Sequence, residues 1–303
     1  MRPTLDHIVV LVPQHELKAL PSWLTTEFTV LNGGQHAGGA TENKLILFQD
    51  GVYIELIAFV EGTGDHGSGR RSHRWGAQPE GRIIDWALGL APLAPVNDPA
   101  QRERETDESF KAIQARVRGA GARIAYRDLA ANGRTTPDGV VLKWAASLPA
   151  VIDGDGGVLG SNLTGGVLPF WCLDRTERKL RVPYQSDPAF AQHPSAAVGV
   201  AGINLHVADI ELLERLRRVY DVLLAKKVES VWELAVPEWP PHGHPPLLTL
   251  VSLNGGTKDK ATEGQDPVRG RIELSLFTTG EPRTVAGQFV DGWRIEIRLE
   301  KVQ

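Results

Sequence analysis

Cysteine and methionine are nearly missing from this chain, with one of each in 303 residues. A lone cysteine, Cys172, excludes an internal disulfide and fits a reducing compartment. An excess of one charge sign is missing too: 33 Lys and Arg stand against 37 Asp and Glu, for a formal charge of −4. A phosphate-binding face needs a basic excess, so no nucleic-acid partner is expected. Long apolar runs are also lacking. The opening MRPTLDHIVVLVP is too short in apolar residues for a secretion signal or a membrane span, and the expectation is a cytoplasmic protein without a membrane partner. The glycine-rich stretch GGQHAGGATEN lacks Walker spacing and lies between strands rather than before a helix, so no nucleotide cofactor is expected.

What is present is an ordinary globular composition, 42% hydrophobic and 23% charged, enough for two domains or one large one. The order of elements recurs. Residues 5–12 read as a strand, 16–28 as a short amphipathic helix, and 28–31, 44–49 and 52–59 as strands, with Asp50-Gly51 as a tight turn. This βαβββ order returns less cleanly as a strand at 83–88, a helix at 107–120 and strands near 123–126, 139–145 and 167–173. A third round has a strand at 198–207, the helix IELLERLRRVYDVLL, and strands near 247–253, 271–277 and 293–299. The fold class is therefore α+β, with repeated βαβββ modules at about 1–62 and 80–185, a linker at 186–197 and a third module at 198–303. Residues 91–106 and 148–165 read as long loops, either lids or surface insertions.

Two strands carry polar groups among apolar ones. His7 shares a face with Leu5, Val9 and Leu11, and Glu55 shares one with Tyr53, Ile57 and Phe59. Both strands read as covered on both sides, so Glu55 must be paired, protonated or bound to a metal. A buried His7 and Glu55 bonded to each other and to backbone is the alternative. In the glycine loop, His36 and Asn43 are candidate substrate contacts, or else a wide hairpin whose Thr41 and Asn43 satisfy their own backbone. RRSHRWG, 70–76, is either an anion clamp or a solvated loop. HGH at 242–244 reads as an extended proline-rich connection.

LDHIVVLVP followed by GGQHAGGATENKLILF and GVYIELIAF resembles the glyoxalase-like branch of the vicinal oxygen chelate (glyoxalase and extradiol dioxygenase) superfamily. GRIIDWALGL, PDGVVLKWAAS and VLPFWCLD are similar to the second half of such domains, and GVAGINLHVAD with RIELSLF suggests a third, weaker copy. The resemblance implies two modules paired into an open mixed β-barrel around a divalent metal, with one ligand on the first and one on the last strand of each module. His7 and Glu55 then serve as metal ligands, or as proton shuttle and general base, and imidazole with carboxylate suits Zn, Fe, Mn or Ni. The second half departs from the pattern: the position matching His7 falls near Trp86, with Asp85 beside it, and VLPFWCLD offers no carboxylate before Asp174. Asp85, Trp86 and Trp171 become candidate substrate contacts. If modules one and three form the barrel, Glu273 lies opposite Glu55 and His206 becomes a further candidate ligand. The expected function is a lyase or isomerase acting next to a carbonyl. The alternatives are a barrel that only sequesters a small molecule, and an extradiol-type dioxygenase. The partner is a small molecule, and exchange of modules between chains leaves room for a homodimer.

Overall fold

The structure is a computed structural model that describes residues 1–62, 68–94, 96–136, 138–153, 157–163, 165–238, 244–253, 271–291 and 293–302. His242 and Gly243 of the HGH motif lie outside the described residues. The first module runs through β1 (Arg2–Leu11), the short helices α1 (Gln14–Lys18) and α2 (Ser22–Thr25), β2 (Leu31–His36), β3 (Thr41–Leu47) and β4 (Tyr53–Phe59). The single helix expected at 16–28 is two pieces, because Pro21 takes an extended conformation between them. After α3 (Ser68–Ser72), the second module has β5 (Arg82–Ala91), α4 (Pro99–Gly119), β6 (Ile124–Tyr126), β7 (Ala130–Thr135), β8 (Val141–Ser147), β9 (Pro149–Ile152), β10 (Val158–Asn162) and β11 (Phe170–Asp174).

Eight of these strands form one barrel in the order β1-β4-β3-β2-β7-β8-β11-β5. Modules one and two therefore make the barrel, and the open seam expected between them is bridged. The β2–β7 contact is short, pairing Gln35 with Thr135 and His36 with Arg134. The strand expected at 123–126 is not a barrel strand. As β6 it joins β9 and β10 in a separate three-stranded sheet, and the barrel place goes to β7, whose AANGRT sequence has no apolar alternation to announce it. The expected loop 148–165 thus contains two strands, and the expected loop 91–106 contains the start of α4. Asp98 caps that helix through Ala100 N, and Pro99 occupies its first position.

The third module follows a 3₁₀ turn at Pro188–Ala191. It has a short helix α5 (Arg178–Arg181) before it, then β12 (Ala197–Val207), α6 (Ile210–Leu223), β13 (Ala225–Val228), β14 (Val231–Glu233), β15 (Leu247–Ser252), β16 (Arg271–Thr278), β17 (Arg283–Val290) and β18 (Trp293–Lys301). These strands form a separate seven-stranded sheet. Helix α6 is capped by Asp209 and buries Leu213, Leu216, Val219, Tyr220 and Leu223, one face at helical spacing. That face closes the gap to the barrel: one hydrophobic cluster runs from Leu5 through Trp86 and Tyr220 to Leu299. Polar ties reinforce it. Asp50 accepts from Val52 N at 2.9 Å and from Val200 N at 2.8 Å, and Leu5 N donates to Ala235 O at 2.7 Å. Gly51 turns the β3–β4 hairpin at φ 80°, where an added Cβ would also lie 2.9 Å from Pro237.

The barrel interior is the smaller apolar cluster. Val9, Leu11, Ile57, Ala87, Phe170 and Cys172 belong to it, while Ile8, Val10, Ile54, Leu56, Trp86 and Trp171 face outward into the main core. An irregularity in β1 between Leu5 and His7 breaks the expected face, so that Leu5 packs outward and His7 inward. Among the described residues, no helix is long and apolar enough to cross a membrane.

Candidate active site

The barrel encloses a cavity of about 460 Å³, within the usual range for a small-molecule site. One wall comes from the first module. His7 on β1, His36 on β2, Asn43 on β3 and Glu55 on β4 all line it, and Glu55 and His7 are buried. His7 Nε2 lies 3.6 Å from one Glu55 oxygen and His36 Nε2 lies 3.5 Å from the other. Asn43 Nδ2 donates to Glu55 Oε1 at 2.5 Å, while the buried Asn43 Oδ1 has no hydrogen-bond partner. The glycine stretch is explained by this wall. It forms β2 itself, and an added Cβ at Gly33 would sit 1.9 Å from Asn43 Oδ1, so only glycine lets that amide pass.

Both imidazoles are held from behind. The far nitrogen of His7 is 2.6 Å from Asp6, and that of His36 is 2.9 Å from Thr41 Oγ1. Burial pushes the Asp6 carboxyl up, but Arg178, Arg181 and His7 outweigh it and hold Asp6 well below the usual carboxylate range. Asp6 is therefore the acceptor and His7 Nδ1–H the donor, which turns His7 Nε2 toward Glu55. The Tyr53 ring stacks on His7 at 4.7 Å. Arg181 braces this underside, reaching both Asp6 oxygens at 3.0 and 2.9 Å, Asp174 at 2.6 and 3.0 Å, and Tyr53 Oη at 2.7 Å.

Burial also raises the Glu55 carboxyl, yet the two imidazoles and the Asn43 amide win and keep it below its usual range. For His36, desolvation dominates over the attraction of Glu55 and lowers its affinity for a proton. The site thus presents an ionised carboxylate beside an imidazole that resists charging. Two imidazole nitrogens stand 3.6 and 3.5 Å from the carboxylate, wider than an ordinary hydrogen bond, which leaves room for a substrate proton or a cation between them.

The second module builds the opposite wall. Arg134 donates to the carbonyls of Gly33 and Arg181. Trp144 meets His36 edge-on at 5.8 Å, and Phe170 does the same to His7 at 5.3 Å. Asp85 sits behind this wall, not in the cavity lining. It accepts from Trp75 Nε1 at 2.9 Å and Trp86 N at 3.0 Å, and burial raises its carboxyl despite Arg74 and these bonds.

Trp86 and Trp171, expected to touch substrate, do not reach the cavity. Trp86 stacks on Tyr220 and donates to Gly166 O at 3.0 Å, and Trp171 packs against Phe110 and Tyr126. Strand parity explains both, since Asp85, Ala87, Phe170 and Cys172 take the inward places. His206 and Glu273 do come together, 3.2 Å apart, but on the separate sheet, where Arg271 and Arg298 also hold Glu273. Glu273 does not face Glu55. Asp6, Arg181 and Arg134 escaped the sequence reading. Asp6 had a signal in its place next to His7, whereas the partners of Arg181 lie as far as 175 residues away.

The resemblance implies a divalent metal, and the donors present can be tested against it. The second module supplies no ligand pair: the inward positions of β5 and β11 are Asp85, Ala87, Phe170 and Cys172, and Asp85 is held behind the wall by Trp75 and Trp86. Asp6, His7 and Cys172 bring their donor atoms within 4.8 Å of one another. That trio does not suit a cation: both Asp6 oxygens are taken by arginines, and burial raises the Cys172 thiol. His7, His36 and Glu55 do suit one. Two imidazoles fixed through their far nitrogens and one carboxylate form an N₂O donor set; each imidazole faces a different Glu55 oxygen, at 3.6 and 3.5 Å, so the fit is one of donor type.

The model of the glyoxalase-like domain family matches residues 5–220. The chain belongs to this family, and with it to the vicinal oxygen chelate superfamily. A hypothetical protein from Staphylococcus aureus shares the fold, with a TM-score of 0.59 at 10% identity over 99% of this chain and 100% of that one. The 2,2',3-trihydroxybiphenyl 1,2-dioxygenase of a dibenzofuran-degrading Sphingomonas wittichii matches with a TM-score of 0.43 at 11% identity, over 99% and 91% of the two chains. No curated protein sequence matches the chain.

Proposed function

We propose that the protein is a small-molecule lyase or isomerase that moves a proton at a carbon next to a carbonyl. The observation that carries this reading is the pair of imidazoles, each fixed through its far nitrogen, turned toward one buried carboxylate inside a cavity. Glu55 is the general base: the Asn43 amide orients it and keeps it ionised, and burial leaves it poorly solvated, which makes its charge available to a substrate C–H. His7, backed by the Asp6 carboxylate, takes at Nε2 the proton that Glu55 removes from carbon and returns it to the carbonyl oxygen or to the neighbouring carbon. His36, whose proton affinity burial lowers, leaves the Glu55 carboxylate free to take the proton from the substrate. The aromatic wall excludes water. A divalent ion, if bound by His7, His36 and Glu55, would supply Lewis-acid polarisation of the carbonyl.

The test is solvent exchange. In D₂O, the protein is expected to speed replacement of the C3 protons of 2-oxobutyrate or 2-butanone, followed by NMR, in dialysed protein and after addition of Zn²⁺ or Mn²⁺. E55Q is expected to abolish the effect with unchanged circular dichroism. Exchange no faster than buffer under every condition sinks the reading. An extradiol-type dioxygenase is the second reading, favoured by His36 as the second imidazole beside Glu55. Oxygen uptake with catechol after Fe²⁺ loading distinguishes it.

A further inference from the structure

Arg74 stands in the cavity wall as a cation with unspent donors. Its guanidinium carbon lies 4.0 Å from the Trp75 ring centre and 3.8 Å from that of Phe170. Such stacking occupies the faces of the guanidinium and leaves its N–H edge for another group. No hydrogen bond among the described residues uses that edge, whose ion partner is Asp85 behind the wall. Nη1 is buried without a hydrogen bond, and the Asp85 carboxylate is 3.9 Å away, committed to Trp75 and Trp86. Arg181 and Arg134, by contrast, are engaged by carboxylates and carbonyls. The neighbouring Arg70 is spent on Glu80 and on the Gly76 carbonyl, so the 70–76 motif divides into a structural arginine and a cavity arginine.

The charge of the lining agrees. Arg74, Arg127, Arg134 and Arg181 line the cavity; Arg181 is answered by Asp6 and Asp174 and Arg74 in part by Asp85, and the lining keeps a cationic excess over the one lining carboxylate, Glu55, among the described residues. A concave, low-dielectric surface with this excess raises the local concentration of anions. A buried donor edge left empty costs free energy that a matching acceptor recovers.

We propose that the substrate is a small-molecule carboxylate whose carboxylate group binds in the plane of the Arg74 guanidinium, between the Trp75 and Phe170 rings, with its carbonyl-adjacent carbon toward Glu55. A carboxylate is favoured over a phosphate because one flat donor edge flanked by two rings matches a planar, singly charged acceptor. The assignment of the reacting carbon rests on the acid-base reading above; recognition of the carboxylate by Arg74 does not.

The test is titration of tryptophan fluorescence, with Trp75 and Trp144 as cavity reporters, using 2-oxo-4-phenylbutyrate, its primary amide and phenyl phosphate. The carboxylate is expected to bind at least tenfold more tightly than the amide and more tightly than the phosphate. R74Q erases that preference. R74K, which keeps the charge without the fork, retains only part of it and serves as the second variant if R74Q does not fold. E55Q keeps the preference. Equal binding of acid and amide, a preference that survives in folded R74Q or is undiminished in folded R74K, tighter phosphate binding, or no saturable carboxylate binding each overturns the proposal. If E55Q leaves both the preference and the solvent exchange intact, the acid-base reading fails while carboxylate recognition stands.

Discussion

The first half of the barrel turns His7, His36, Asn43 and Glu55 inward, groups that take and give protons, while the second half turns Arg134, Trp144, Phe170 and Cys172 inward, groups that hold and enclose. Both halves follow the βαβββ pattern, with β7 in the place where β6 was expected. The difference between them teaches that the backbone repeat sets which positions face the cavity, and the side chain at each position sets which half does chemistry. His7 and Ala87 pair across β1 and β5, and they show this at one register position. The donors that a second metal-binding half would have supplied are replaced by apolar wall and guanidinium groups, so the reactive groups gather on one side.

The comparison can be broken at several strengths. The largest effect is expected from Glu55→Gln, which removes the base yet keeps the shape. Exchange activity falls by about 10² to 10⁴, while the melting temperature stays within a few degrees of the parent. Arg181→Met comes next. It removes one of the two arginines that hold the buried Asp6 and leaves Arg178 as its remaining cation, so the cost approaches the lower end of the about 3–5 kcal/mol for breaking a buried pair. Urea unfolding reads the loss, and the released His7 lowers activity as well.

A smaller, pH-dependent effect is expected at His193, far from the cavity. Its Nε2–H donates to Leu47 O at 2.9 Å and its Nδ1 accepts from Thr29 N at 3.1 Å, so it is held neutral, and burial lowers its pKa from 6.5 to about 4. The unfolded chain then binds a proton that the folded chain refuses, and stability is lost as pH falls from about 6.5 toward 4, by up to about 3 kcal/mol. Asp50, raised to about 6 by burial, acts in the opposite direction over the same window. The readout is therefore the difference in slope between parent and His193→Gln, which flattens the acid limb if the account holds. The smallest effects belong to the outward tryptophans. Trp171→Phe removes a buried Nε1 that makes no hydrogen bond, and Trp86→Phe gives up one bond to Gly166 worth about 0.5–1.5 kcal/mol; each also leaves a small void in the core that lowers stability without touching the cavity. Neither change alters ligand titration, whereas a tryptophan in the cavity wall would.

Much of this was legible in the sequence. Continuous apolar runs marked β1 and β4 as strands covered on both faces, and with them the polar exceptions His7 and Glu55. The element order marked the paired modules. The registers were not legible: a bulge in β1 and strand parity in β5 and β11 decided that His7 and Asp85 turn inward and that Trp86 and Trp171 turn out, and a one-residue slip reverses such an assignment. His36 read as a contact at the cavity mouth because its stretch looked like a loop; pairing of β2 with β3 and β7 makes it a wall residue facing Glu55. Strand β7 was invisible because its residues are mostly small or polar. Long-range ion pairs such as Asp6 with Arg181 leave no local pattern at all.

The most direct test of the division between the walls is to measure turnover and substrate dissociation constants side by side for Glu55→Gln and Arg74→Gln in the deuterium-exchange reaction. The account predicts that Glu55→Gln loses turnover while binding substrate as the parent does, and that Arg74→Gln binds at least tenfold more weakly while exchanging at a similar rate once saturated. Full turnover in a folded Glu55→Gln would contradict it.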